Sequence, residues 1–208
     1  GAPILRRYCV FGNLFAKSGL DSDVFRLDRH PTMRHHPITP MEESDLRVHL
    51  SRQTEKQIAL FDVLQLSGNR VQEAFDVLMQ TRPDVVLFDT LNDRDLAPIG
   101  EAIWRKAAKD APLFVAGSSG AEYALAAHWR EKGWIPELPE RPRADGVDQL
   151  VAVSGSCSPV TADQIDRAVS RGFSEIALDT LRLIDSETAE GEIDRGVRMG
   201  LEEIETGR

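Results

Sequence analysis

The chain has 208 residues, 41% hydrophobic and 28% charged, with a net charge of −9. That is the composition of a soluble globular protein of one large or two small domains, and its acidity argues against a nucleic-acid surface, which needs a local excess of Lys and Arg. No run has the apolar length of a membrane span, no signal-peptide pattern opens the chain, and Cys9 and Cys157 are too few and too far apart for a disulfide framework or a CxxC metal site.

A reducing, cytoplasmic setting is therefore the default expectation. The chain opens on Gly1 rather than Met, as a processed, trimmed or partial chain does. Tyr8-Cys-Val-Phe11 is a short apolar run that predicts a strand, and Gly12-Asn13 signals a turn or a close approach. Met33-Arg34-His35-His36-Pro37-Ile38-Thr39-Pro40-Met41 follows. Pro37 and Pro40 fix their own φ and push His36 and Thr39 toward extended geometry. His35, His36 and Thr39 are thus held on a stiff peptide, suited either to a small anionic or polyhydroxy ligand or to a plain proline-ordered connector. The adjacent histidines point in different directions on an extended chain, and no metal-ligand spacing is evident.

A helix is expected over Glu42 to Gln53, with Ser44 or Thr39 as its cap and Glu42, Glu43 and Asp45 favoured at its N-terminus. From residue 57 the pattern becomes regular. Ile58–Phe61 predicts a strand, Val71, Phe75 and Leu78 trace a helix ending at Arg82-Pro83, and Val85–Phe88 has the uninterrupted apolar character of a buried parallel strand. Leu96, Ile99, Ile103 and Ala107 trace another helix, Leu113–Val115 a strand, and Ala121 to Lys132 a helix. Such alternation means βαβ units. Gly133 to Asp148, with Pro136, Pro139 and Pro142, has linker composition. Beyond it Leu150–Val153 and Ile176–Leu178 predict strands, Thr161 to Arg171 a helix, and Ile193, Val197, Leu201 and Ile204 a final amphipathic helix. The expected fold class is α/β, with two Rossmann-like βαβ lobes and mostly parallel sheets. The second lobe has too few elements to close an ordinary domain core and is incomplete.

Ligands of open α/β sheets bind at the carboxyl ends of the strands. Asp89 lies there, after Val85–Phe88. It is either an acceptor for sugar hydroxyls, or a base, or a cap of the next turn, a task that Asn92 or Asp93 also fits. Gly117-Ser118-Ser119-Gly120 sets small residues and two hydroxyls before a helix, which serves as an anion cradle or a tight capped turn. Ser154-Gly155-Ser156-Cys157-Ser158 has the same logic and suits phosphate. There is no Gly-Lys-Ser/Thr loop, no GxGxxG and no GxSxG elbow. Cys157 has no His near it in sequence to support it as a nucleophile.

Together Gly12-Asn13-Leu14-Phe15, Met33–Met41 with its His-His-Pro, Phe88-Asp89-Thr90-Leu91, Asp95-Leu96, Ile99-Gly100, Gly117–Gly120 and Val153–Ser158 resemble the four-carbon acid sugar kinase family, the oxo-tetronate, threonate and erythronate kinases, in order and spacing along nearly the whole chain. Ser118 stands where the family turn has a second Gly. Family members are longer. They open with an Asp-Asp-Phe-Thr-Gly strand end and carry a Gly-rich Thr-Ser-Gly phosphate loop near the C-terminus; neither lies in these residues. The resemblance therefore implies a middle portion. Residues 1–133 would be the later part of a sugar-acid-binding N-terminal domain, 134–148 a proline-rich linker, and 149–208 the beginning of a nucleotide-binding C-terminal domain. It implies transfer of the ATP γ-phosphoryl, with Mg²⁺ accompanying the nucleotide, to a hydroxyl of a four-carbon sugar acid in a cleft that closes between the lobes. It places His36, Thr39, Asp89, Ser118 and Ser119 on the sugar acid and Ser154, Ser156 and Ser158 on the nucleotide, Ser156 foremost. No general base is nominated. The partners expected are the sugar acid and ATP, with no nucleic acid or membrane, and a homo-oligomer is left open. A non-catalytic sugar-acid-binding or regulatory module, or a lyase or epimerase on the same fold, are the alternatives.

Overall fold

Phe11 and Gly12 reverse the chain between the first two strands. Both have positive φ, 49° and 80°, the geometry that matches the twist of a two-residue hairpin. Gly12 adopts it freely, whereas Phe11 needs outside support. The turn therefore lies one residue earlier than the Gly12-Asn13 signal indicated. The structure is a computed structural model that describes residues 1–19, 22–136, 145–156 and 158–207. It divides into two units, Gly1–Arg141 and Pro142–Arg208.

In the first unit β1 (Arg7–Val10) pairs antiparallel with β2 (Asn13–Lys17), Val10 opposite Asn13, and β2 with β3 (Val24–Arg26), Phe15 opposite Arg26. The chain then makes single 3₁₀ turns at Leu27–Arg29 and Met33–His35 before α1 (Leu46–Ser51). This helix is shorter than the periodicity predicted, and neither Ser44 nor Thr39 caps it. Asp45 does, its carboxylate accepting the Arg47 amide. Ser44 is buried instead, its hydroxyl donating to the Leu14 carbonyl at 2.6 Å and accepting the Leu27 amide at 3.3 Å.

A second sheet joins β4 (Ile58–Phe61) in parallel with β5 (Val85–Phe88), Phe61 opposite Phe88. Between them lie α2 (Val63–Leu66), opened by an Asp62/Gln65 capping box, and α3 (Val71–Gln80). Arg82, at φ 53°, turns the chain after α3 just before Pro83. An Asn92/Asp95 capping box leads into α4 (Leu96–Lys106), followed by α5 (Ser119–Glu131). The core is Phe61, Leu66, Phe75, Leu96, Ile99, Ala102 and Ala124. The rings of Phe61, Phe75 and Phe88 lie 5.6–5.7 Å apart. Helices α4 and α5 pack at Gly100, where an added Cβ would lie 2.0 Å from the Ala124 carbonyl oxygen. Only glycine permits so close a crossing.

The second unit contains α6 (Pro159–Val169), α7 (Thr180–Ile184) and α8 (Ala189–Glu205). Glu192 is the one buried residue among those described there. Its carboxylate accepts the Asp179 amide at 2.7 Å and the Arg195 guanidinium at 2.5 and 3.0 Å. The Arg195 bonds, then the Asp179 N–H, hold its carboxyl down to about 2. This charged clamp joins the start of α7 to α8.

The expected α/β class holds, whereas two Rossmann-like lobes with mostly parallel sheets are not seen among the described residues. The fold is mixed α/β, but its described sheets are three antiparallel strands and two parallel ones, both in the first unit. Leu113–Val115, Leu150–Val153 and Ile176–Leu178 form no strand. Phe114 and Val153 are 91% and 93% exposed. An apolar run records an appetite for burial, whereas a strand also needs a neighbour for its N–H and C=O groups, and these runs have none among the described residues. Among those residues, too, no helix is long and apolar enough to cross a membrane. Cys157 and residues 137–144 of the expected linker lie outside the described residues.

Gly100→Ala is expected to destabilise the first unit by about 1–3 kcal/mol, the usual cost of forcing a carbon into a packed contact. Gly191→Ala, in open space within α8, is expected to gain up to about 1 kcal/mol of helix propensity. Urea midpoints measure both, and an unchanged midpoint for Gly100→Ala contradicts the close crossing.

Candidate functional site

Asp89 sits where β5 ends and is fully buried. Its carboxylate accepts three backbone amides from distant parts of the chain: Phe11 at 2.6 Å, Gly12 at 2.9 Å and Val63 at 3.2 Å. Two of these come from the strained β1–β2 turn and the third from the first residue of α2. The capping role raised for Asp89 belongs instead to Asn92, which accepts the Arg94 amide, and to Asp95, which accepts the Leu91 and Asn92 amides. Next to Asp89, Thr90 exchanges both backbone bonds with Cys9, at 3.0 and 2.9 Å. Antiparallel and parallel sheets thus meet at the end of β5. Burial first, and the Asp89 charge second, push the Cys9 thiol up to about 12.

Arg47 completes the turn's surroundings. It pairs with Asp45 at 2.6 Å and reaches the Phe11 carbonyl at 3.4 Å. The Arg47 guanidinium holds the Asp45 carboxyl below its ordinary range.

The His-Pro stretch is less extended than expected, since Met33–His35 is a 3₁₀ turn. His36 then folds its ring back. Its Nδ1 lies 3.3 Å from the Ile38 amide, 3.0 Å from the Thr39 amide and 3.1 Å from Thr39 Oγ1. His30-Pro31 makes the same turn six residues earlier. His30 Nδ1 accepts the Thr32 and Met33 amides, both at 3.2 Å, and its Nε2 lies 3.3 Å from the Lys17 carbonyl. His30 is buried. Sequence reasoning passed over it, although the repeated His-Pro dipeptide was the available signal.

Ser118 is the exposed N-cap residue of α5 and makes no side-chain cap bond; Ser119 is the first helical residue. An added Cβ on Gly120 would lie 1.9 Å from the Gly1 carbonyl oxygen, and the Gly1 amino group lies 3.5 Å from Thr90 Oγ1. Through Gly1 the start of α5 is joined to the Asp89-Thr90 end of β5. His36 and Thr39 are joined to each other. Their segment returns to the β1–β2 hairpin through Ser44 and through the Leu46 amide, which donates to the Gly12 carbonyl. In the second unit Ser158 caps α6 by accepting the Thr161 amide, and Ser156 Oγ accepts the Ser158 amide. Ser154 is exposed. Chemically, the first unit offers hydroxyls and an imidazole at its surface, with the Asp89 and Asp95 carboxylates committed inside.

Asp89→Ala, which strands three backbone donors, is expected to destabilise the first unit by about 3 kcal/mol or more, with Asp89→Asn between it and the wild type. Calorimetric melting measures this, and equal stability of all three chains contradicts the account. In a Cys157→Ser background, Cys9 should resist a thiol reagent at pH 8 under native conditions and react once unfolded in urea. Rapid native labelling contradicts the burial and raised pKa.

Residues 1–125 match the family model described as the sugar-binding N-terminal domain. The 3-oxo-isoapionate kinase of Paraburkholderia graminis is 47% identical over 207 residues, covering 100% of this chain and 43% of that protein. The 3-oxo-tetronate kinase of Pectobacterium atrosepticum is 28% identical over 190 residues, covering 90% of this chain and 42% of that protein. The chain thus spans less than half the length of these relatives. A solved structure from Salmonella typhimurium LT2 superposes with a TM-score of 0.59 at 28% identity, covering 97% of this chain and 44% of its own. One from Haemophilus influenzae gives 0.54 at 26%, covering 82% and 38%. By this match over more than half its length, the chain belongs to the four-carbon acid sugar kinase family and carries that family's sugar-binding N-terminal domain.

Proposed function

We propose that the chain is part of an ATP-dependent kinase that phosphorylates a sugar acid of the threonate, erythronate or 3-oxo-tetronate type. The observation that carries this reading is the likeness along the whole chain to a protein named a 3-oxo-isoapionate kinase. Residues 1–133 would then be the later part of the sugar-acid-binding domain, 134–148 a linker and 149–208 the start of the nucleotide domain. A cytoplasmic setting goes with such metabolism.

His36, Thr39, Ser118 and Ser119 supply exposed or partly exposed polar groups for the acid. Asp89 belongs to the same site as the group that fixes the Phe11-Gly12 turn beside it. Ser154 and Ser156, before the α6 N-terminus capped by Ser158, offer hydroxyls to the nucleotide. No Lys or Arg lies between Gly146 and Asp166 to neutralise phosphate charge, so these residues fit only part of a nucleotide site. ATP with Mg²⁺ supplies the phosphoryl group and its charge neutralisation. What this chain supplies is positioning, on which phosphoryl transfer mainly depends.

The complete protein of which this chain is a part, given ATP and Mg²⁺, is expected to form ADP with at least one of 3-oxo-tetronate, 3-oxo-isoapionate, threonate and erythronate, in a coupled ADP assay. Acid binding by calorimetry without ADP formation would favour a non-catalytic binding module. No binding and no turnover across the panel contradicts the kinase reading.

A further inference from the structure

The ring of His36 has only one way to hold its proton. The amides of Ile38 and Thr39 both point at Nδ1, and a backbone N–H can only donate. Nδ1 must therefore present its lone pair, and the neutral ring carries its hydrogen on Nε2. The Thr39 hydroxyl, 3.1 Å from the same nitrogen, is then fixed as a donor to it. Its remaining lone pairs are free only to accept.

His30 supports the assignment independently. In the same His-Pro turn its Nδ1 takes two amides, and its Nε2 meets the Lys17 carbonyl, a pure acceptor. The fold thus uses this turn twice. At His30 the outward N–H is spent on the protein's own backbone and the ring is buried. At His36 the ring is partly exposed, among exposed neighbours at Pro37, Ile38 and Thr39.

We propose that His36 and Thr39 form a polarity-reading pair in which the Nε2–H of a neutral His36 donates to an acceptor oxygen of the sugar acid, a carboxylate or ketone oxygen, while Thr39 Oγ1 accepts from one of its hydroxyls. The proposal rests on the sugar-acid reading above and deepens it, because it assigns a direction to each hydrogen bond. A sugar acid carries both kinds of group on neighbouring carbons. A polyol of the same length offers the His36 donor only neutral hydroxyl oxygens, weaker acceptors than a carboxylate.

The test uses the complete protein of which this chain is a part, with L-threonate as probe and threitol as its polyol counterpart. Long-range ¹H–¹⁵N spectra should show His36 protonated on Nε2 and bare on Nδ1 at neutral pH, with the Nε2 signal shifting as threonate is added and not with threitol. His36→Asn keeps an oxygen acceptor for the turn, as in an Asx turn, but removes the outward N–H. It is expected to keep the melting temperature and to weaken threonate binding about tenfold, the worth of one hydrogen bond to a charged group. A His36 ring protonated on Nδ1, or His36→Asn binding threonate as tightly as wild type, overturns the pairing and leaves the kinase reading standing. Failure of the complete wild-type protein to bind any sugar acid overturns both.

Discussion

The fold of the first unit depends on one buried carboxylate. Asp89 ends the parallel strand β5, yet its bonds go to the β1–β2 turn and to the start of α2. A buried charge is costly unless its lone pairs are met, and three backbone amides meet them. In return Asp89 satisfies the two amides of a turn whose first residue, Phe11, sits at a φ that non-glycine residues rarely adopt. The same carboxylate adds to the burial that keeps Cys9 protonated. Turn, strand end and thiol are thus one electrostatic unit.

The His-Pro turns solve a related problem at the surface. Proline after histidine removes one donor and fixes the backbone, so the histidine ring can reach forward to the next two amides. The ring does the work of an Asx side chain while retaining a second nitrogen for something else. At His30 that nitrogen meets the Lys17 carbonyl in a buried ring, whereas the His36 ring is partly exposed.

Sequence patterns reported these features unevenly. Val85–Phe88 and Ile58–Phe61 were legible as parallel strands because they find each other. Leu113–Val115, Leu150–Val153 and Ile176–Leu178 carry the same apolar signal without a neighbour, and composition does not encode whether a partner is at hand. The pairing of His36 with Thr39 was within reach, since three residues across a proline place them together. The bonds of Asp89 were not, because its partners lie 78, 77 and 26 residues away. Ser44, expected as a cap, is drawn inward by the Leu14 carbonyl, and Asp45, one residue on, takes the capping role. Local rules identified the right polar stretch and missed which of its members faces the core. The family likeness was legible in motif order, and the 47% identity to a named kinase extends it across the chain.

A crystal structure of the protein with a bound four-carbon sugar acid tests the central claim most directly. The account predicts an acid oxygen within hydrogen-bond reach of His36 Nε2, a hydroxyl on Thr39 Oγ1, and Asp89 still holding the amides of Phe11, Gly12 and Val63. An acid bound away from His36 and Thr39, or an Asp89 released from those amides, would contradict it.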